Sequence, residues 1–212
     1  MKQFDSILII GSGGREHSLG WKLSNDTGKK VYFAPGNAGT ENNISIDSSD
    51  LLKLFEFAKK KNAFTIVGPE KPLSLGIVDK FEEGHMSIFG PTKSASRLES
   101  SKVFAKLFMR NRDIPTSPFS VFSDPASAIK HVESYPKNVV IKVDGLASGK
   151  GVFVCDDVKA VRDALQKIFI DGEFSKSGKL VVVEERIYGD EASFIAICDG
   201  KSIIPLASSL DH

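Results

Sequence analysis

Two periods of apolar and polar residues succeed one another along this chain, and their order predicts its elements. Ser6–Ile10 is a continuous apolar, β-rich run that stops at Gly11-Ser12-Gly13-Gly14, which predicts a short buried strand. Arg15 to Ser24 follows with Leu19 and Leu23 four apart, the spacing of one helix face. Val31–Ala34 predicts the next strand, closed by the turn-rich Pro35-Gly36-Asn37-Ala38-Gly39-Thr40. Asp50 is placed to cap a helix carrying Leu51, Leu54, Phe55 and Ala58 at i, i+3, i+4 and i+7. Phe64–Val67 predicts a strand ending at Gly68-Pro69-Glu70, Leu73 to Glu83 a further helix, and Ser87–Phe89 a strand ending at Gly90-Pro91. Strands separated by helical stretches imply parallel βαβ units. Residues 1–91 are therefore expected to form a Rossmann-like, doubly wound parallel-sheet domain of the α/β class.

Beyond residue 91 the pattern shifts. Thr92 to Arg112 reads as mostly helical, with Val103, Phe104, Leu107 and Phe108 as its apolar stripe and Lys102, Lys106 and Arg110 on another, solvated face. Together with the linker-like Pro115–Pro118 it makes a helical connecting region over 92–118. A second α/β unit is expected over 119–191. It comprises a strand Phe119–Phe122, a helix after Asp124-Pro125, a strand Val139–Val143, a loop over 144–151, a strand Val152–Cys155, a helix with Val161, Leu165, Ile168 and Phe169, and a strand Leu180–Glu184. Residues 192–212 open a further unit, in which Ala192–Cys198 and Ser202–Leu206 read as a hairpin. Asp199-Gly200 suits a two-residue type I′ turn there.

Composition narrows the function classes. The 212 residues carry 28 Lys+Arg against 27 Asp+Glu, a formal net charge of +1, so nothing supports a role in coating nucleic acid. No apolar run approaches the roughly 20 residues that cross a bilayer, and the N-terminus lacks a signal-peptide h-region. Cys155 and Cys198 are the only cysteines, without metal spacing, which fits a reducing, cytoplasmic setting. A cytoplasmic enzyme or nucleotide binder acting on small molecules is expected, with neither nucleic-acid nor membrane partner and with the oligomeric state left open.

Chemistry concentrates in the loops. GSGGREH at 11–17 stands where a dinucleotide fingerprint would, but the third glycine position is Glu16, which argues against NAD. The loop reads either as a seat for a phosphate or sugar-phosphate, with Arg15 and His17 beside it, or as a tight strand-to-helix turn with His17 on the helix surface. PGNAGT at 35–40 and GPEKPLSLG at 68–76 leave strands of the same sheet, so Asn37 and Glu70 are candidate polar contacts unless Gly and Pro serve only the turns. Lys142 lies within Val139-Val140-Ile141-Lys142-Val143, where a strand lysine among valines calls for an anion such as phosphate. The loop Asp144-Gly145-Leu146-Ala147-Ser148-Gly149-Lys150-Gly151 carries Lys150 near its tip, as a phosphate-covering lid or as a solvated hairpin. It is no P-loop, since it lacks G-x-x-x-x-G-K-[ST] and leads into a strand. Glu184 and Glu185 close an apolar strand, either as a strand end entering solvent or as the wall of a nucleoside cleft.

Six segments occur in one order: GSGGREH, PGNAGT, VGPEKPL at 67–73, IFGPTKSASRLESSKVFAK at 88–106, IKVDGLASGKGV at 141–152 and VVVEERIYGDEASF at 181–194. Together they closely resemble the phosphoribosylamine–glycine ligase (glycinamide ribonucleotide synthetase) family of the ATP-grasp superfamily, over nearly the whole chain. The resemblance implies ATP-dependent joining of glycine to 5-phosphoribosylamine through a glycyl phosphate, in purine biosynthesis. It implies that Lys102 and Lys142 hold ATP phosphates and that Gly149, Lys150 and Gly151 belong to a flexible lid, with Lys142 and Lys150 nearest the chemistry. It implies that Glu184, Glu185 and Ile187 lie in the hinge reading adenine and that Glu191 binds ribose. Gly13, Arg15, Asn37 and Glu70 fall on the phosphoribosylamine side, in the 1–91 substrate domain. The family continues past a segment like 207–212 into the ligands of Mg²⁺ or Mn²⁺, so the metal ligands are expected outside this chain, which would be the N-terminal half of the enzyme. Another ATP-grasp carboxylate–amine ligase and a non-catalytic nucleotide-binding fragment are the alternatives. Lys142→Ala is expected to weaken ATP binding far more than Lys106→Ala.

Overall fold

In the computed structural model, residues 3–134, 138–146, 150–174 and 180–210 are described. The chain runs β1 (Ser6–Gly11), α1 (Gly14–Thr27), β2 (Lys30–Pro35), α2 (Leu51–Lys60), β3 (Ala63–Val67), α3 (Glu70–Leu75), α4 (Ile77–Glu83), β4 (Ile88–Phe89), α5 (Arg97–Ser100) and α6 (Lys102–Asn111). It continues through β5 (Phe119–Phe122), α7 (Pro125–Glu133), β6 (Val139–Val143), β7 (Val152–Cys155), α8 (Val158–Phe169) and β8 (Val181–Glu185). The last elements are β9 (Ala192–Ser193), β10 (Ala196–Cys198), β11 (Ile203–Pro205) and β12 (Ser209–Leu210). Among the described residues no helix is long and apolar enough to cross a membrane.

The first sheet is parallel throughout, in the order β2-β1-β3-β4. Every residue of β1 is buried, as a central strand covered on both faces must be. Leu8 and Ile10 pack with Leu54, Ala58, Ile77 and Phe81 on the side of α2 and α4. Ile7 and Ile9 pack with Val31, Phe33 and Leu23 on the side of α1. The chain moves from β1 to β2 on one side and then to β3 on the other, so the order reverses between β1 and β3. A crevice forms there at the carboxyl ends of the strands. Asp50 caps α2 as expected, accepting from Lys53 N at 3.2 Å. The single helix expected over 73–83 is two: Gly76, at φ +94°, takes a left-handed turn that ends α3 and starts α4.

The second sheet is antiparallel, in the order β5-β8-β6-β7. Val139, Ile141, Val143, Val181 and Val183 face α7 and α8 and close a core with Ala128, Val161, Leu165 and Ile168. Each fully buried Ile, Leu or Val of this set contributes about 1.5–3 kcal/mol relative to exposure. Both helices start at an aspartate: Asp124 accepts from Ser127 N at 2.8 Å and Asp157 from Ala160 N at 2.7 Å. The terminal hairpin pairs Cys198 with Ile203, leaving a four-residue loop rather than a two-residue type I′ turn. Asp199 Oδ1 accepts from the amides of Lys201 and Ser202 at 2.9 and 2.7 Å, and this aspartate-built turn displaces the tighter one. The strand expected over 192–198 divides into β9 and β10, with β9 pairing β12.

Candidate functional site

At the crevice between β1 and β3, Glu16 turns back into the glycine loop. Its Oε2 accepts from Gly13 N at 2.6 Å, while its Oε1 is buried with no hydrogen-bond partner among the described residues. A Cβ on Gly11, Gly13 or Gly68 would overlap this side chain, so the glycines on both sides of the crevice make room for one carboxylate. The close helix-to-strand packing that the fingerprint's third glycine would supply comes instead from Gly20. A Cβ there would strike Phe33. Sequence reasoning placed Glu16 as an obstacle to NAD but missed that it is buried and organises the loop.

The other candidates of this domain surround the same crevice. Arg15 and Glu70 come within 3.9 Å of each other across it, both substantially exposed. Glu70 is not on an open loop over 68–76 but in the first turn of α3, because the chain becomes helical directly after Pro69. Asn37 ties its loop to the glycine loop, donating from Nδ2 to Ser12 O at 2.9 Å and accepting from Gly39 N at 2.8 Å. A cavity of about 500 Å³ lies farther along, at the β2 edge, lined by His17, Trp21, Lys29, Lys30, Thr40 and Asn42. Of these, His17 belongs to the GSGGREH segment and Thr40 to PGNAGT.

The second lobe holds the strongest electrostatic arrangement. Antiparallel pairing sets Val140 opposite Glu184 and Lys142 opposite Val182, so Lys142 and Glu184 are diagonal neighbours on one face of the sheet. Helix α6 covers that face and brings Lys106 to it. Glu184, 5% exposed, accepts from Lys142 with Oε1 and from Lys106 with Oε2, and Ser117 Oγ donates to Oε2 at 3.0 Å. Burial by itself would push the Glu184 carboxyl up. The hydrogen bonds from Lys106 and Lys142, with their charges, outweigh it and hold the group below the usual carboxylate range.

Two readings change here. Lys106 does not lie on a solvated face: its side chain is 11% exposed, and Nζ also donates to Thr116 Oγ1 and Ser117 Oγ at 2.8 and 2.9 Å. Helical periodicity located the stripe Lys102–Lys106–Arg110 correctly but could not tell which stripe meets the protein. The anion that a strand lysine requires is supplied, for Lys142, by Glu184 of the same chain. Lys106 and Lys142 thus meet at one carboxylate, Lys106 from the more buried side.

The base of the loop over 144–151 is fastened to α6. Asp144 Oδ1 accepts from Ser101 Oγ at 2.9 Å and from Val103 N at 3.0 Å, and Lys102 Nζ donates to Gly145 O at 2.9 Å. Lys102 thus holds the base of the loop that β6, the strand of Lys142, runs into. Lys150 is exposed, and Gly151 is buried with its carbonyl accepting from Val143 N at 2.8 Å. Gly149, another predicted lid residue, lies outside the described residues. After β8 the amides of Glu185 and Arg186 donate to Pro118 O and Asn138 O, both at 3.0 Å. Arg186 pairs with Asp156 at 2.5 Å and lies over the Tyr188 ring, whose hydroxyl accepts from Asn138 Nδ2 at 2.9 Å. Ile187 projects, 72% exposed, and Glu191 is exposed beyond it. Among the described residues no group of three or more His, Cys, Asp or Glu is placed to hold a metal ion.

Comparison with known proteins finds two family models along the chain. Residues 5–99 match the family model described as phosphoribosylglycinamide synthetase, N domain, and residues 100–212 the model for the ATP-grasp (A) domain of the same synthetase. A phosphoribosylamine–glycine ligase of Allochromatium vinosum is 45% identical over 97% of this chain and 50% of its own length. One from Clostridium acetobutylicum is 44% identical over 97% of this chain and 51% of its own. The chain spans about half the length of the curated relatives it matches. The crystal structure of phosphoribosylamine–glycine ligase from Thermotoga maritima superposes with a TM-score of 0.77 at 31% identity, covering 95% of this chain and 49% of that one. Biotin carboxylase from Campylobacter jejuni, solved as a β-γ-ATP complex, shares the fold at a TM-score of 0.75 and 18% identity, over 97% of this chain and 51% of that one.

Proposed function

The chain belongs to the phosphoribosylglycinamide synthetase family, and from that premise we propose that it serves the ATP-dependent ligation of glycine to 5-phosphoribosylamine in purine biosynthesis. In this reading the carboxylate of glycine attacks the γ-phosphate of ATP, ADP leaves, and the amine nitrogen displaces phosphate from the resulting glycyl phosphate. The chain's contribution is positioning and charge neutralisation. Lys102 and Lys142 hold phosphate oxygens, and Lys150, with Gly149 and Gly151, closes over them. The backbone from Glu184 to Ile187 meets adenine beside the exposed Ile187 side chain, and Glu191 binds ribose hydroxyls. Gly13, Arg15, Asn37 and Glu70 face 5-phosphoribosylamine at the β1–β3 crevice. A divalent ion, Mg²⁺ or Mn²⁺, would neutralise phosphate charge, with ligands expected outside these residues. A cytoplasmic setting accords with the small anionic substrates.

The observation that carries this reading is that Lys102 donates to the base of the glycine–lysine loop over 144–151 while Lys142 lies on the strand that enters it, beside the strand that leads into an exposed hinge. Calorimetric titration of this chain with ATP is expected to show one site, lost in Lys142→Met. On the protein expressed from its complete reading frame, ADP release is expected only when glycine and 5-phosphoribosylamine are both present. Release driven equally well by bicarbonate or another carboxylate would assign the lobe to a different ATP-grasp reaction.

A further inference from the structure

Glu184 is one carboxylate between two ammonium groups. Lys106 approaches from α6 and Lys142 from β6, so the cluster carries one surplus positive charge. The two lysines differ in what else they touch and in where they stand. Lys106 has three polar partners, Glu184, Thr116 and Ser117, which matches the three donors of an ammonium, and its side chain is 11% exposed. Lys142 reaches Glu184 at 31% side-chain exposure, on the strand that runs into the 144–151 loop. One lysine stands behind the carboxylate and the other in front of it.

We infer that Lys106 is a positioning residue for phosphate binding: it neutralises Glu184 from the rear, so that the charge of Lys142 stays available to an anion at the loop base. The inference rests on the ATP-binding reading above and extends it to a residue that reading does not use. If Glu184 had Lys142 as its sole countercharge, the pair would be neutral, and an incoming phosphate would have to compete with a buried carboxylate for the same ammonium. With Lys106 and Ser117 in place, Oε2 is satisfied without Lys142. Only Oε1 faces it.

A charge role and a purely structural role predict opposite outcomes for a second substitution. In Lys106→Met the cluster falls to zero net charge, and ATP affinity is expected to drop on the order of tenfold. In Lys106→Met/Glu184→Gln the surplus returns, and affinity is expected to recover most of that loss. If Lys106 only pins α6 to the sheet, the double variant will bind no better than the single one, which overturns the inference; unchanged affinity in Lys106→Met overturns it equally. Thermal midpoints of each variant establish that binding is compared between folded proteins. Should Lys106→Met fail to fold, Lys106→Gln, which retains a donor toward Ser117, carries the same comparison.

A readout that needs no nucleotide separates this inference from the ATP reading. Acylation of Lys142 by acetic anhydride at fixed pH, followed by peptide mass spectrometry, reports how strongly Glu184 holds its ammonium. The expected order of rates is slowest in Lys106→Met, intermediate in the parent and fastest in the double variant. If that order holds while the parent fails to bind ATP, the nucleotide reading falls and the charge relay stands. If ATP binds but the order is absent, the relay falls.

Discussion

Ser101 Oγ donates to Asp144 Oδ1 over 2.9 Å, and the same oxygen accepts from Val103 N at 3.0 Å, so an aspartate at the start of the 144–151 loop helps cap helix α6. The contact makes the geometry of the loop base depend on the helix that delivers Lys102 and Lys106. Asp144→Ala is expected to destabilise the chain by about 1–3 kcal/mol, since two donors lose a shared acceptor. Asp144→Asn, which keeps an acceptor, should cost less. Urea denaturation of the two variants against the parent checks both.

The acid limb of stability should carry the signature of Glu184. Its folded-state pKa lies below the usual carboxylate range, so its contribution is present above the unfolded carboxyl's pKa and is lost as pH falls through the folded value. Stability is therefore expected to decline on acidification into and below the carboxylate range. Glu184→Gln should flatten that decline while lowering stability at neutral pH. Urea midpoints measured at a series of pH values test the direction.

Glu16 and Gly68 should be coupled energetically. A methyl at Gly68 would overlap the buried Glu16 carboxyl, and Gly68→Ala is expected to cost about 1–3 kcal/mol by overpacking. In Glu16→Ala/Gly68→Ala the overlap is gone, so the double variant should cost less than the sum of the singles. Additive losses in a double-mutant cycle would show that the two residues do not compete for one space.

The two cysteines should differ sharply in reactivity. Burial, with smaller contributions from Asp156 and Asp157, pushes the Cys155 thiol up to about 11, whereas Cys198 is exposed. Iodoacetamide at pH 8 is expected to modify Cys198 in the native protein and Cys155 only after unfolding. Equal native labelling would contradict the burial of Cys155.

Much of the layout was legible because its causes are local. The continuous apolar run of β1 required two covered faces, Asp50 and Asp124 stood where helix amides need acceptors, and the glycine loops fell after strands where a sheet presents its crevice. The errors arose where a local preference met a stronger neighbour. Asp-Gly at 199–200 suits a two-residue turn, yet the Asp199 side chain collects two amides and opens a four-residue one. Residues 73–83 are apolar enough for one helix, yet Gly76 admits the left-handed turn that makes two.

Residue order alone was enough to locate the strands, the glycine loops and Lys142, because periodicity, capping and turn chemistry act over a few residues. Folding decided which charges meet. Ser117 and Glu184 are 67 positions apart, and one buried carboxylate gathers Ser117, Lys142 through the pairing of β6 with β8, and Lys106 through the docking of α6. Nor does periodicity reveal that Glu16 fills the space three glycines leave. A helical repeat reports which residues share a face, whereas the partner of a buried charge is set by what that face packs against.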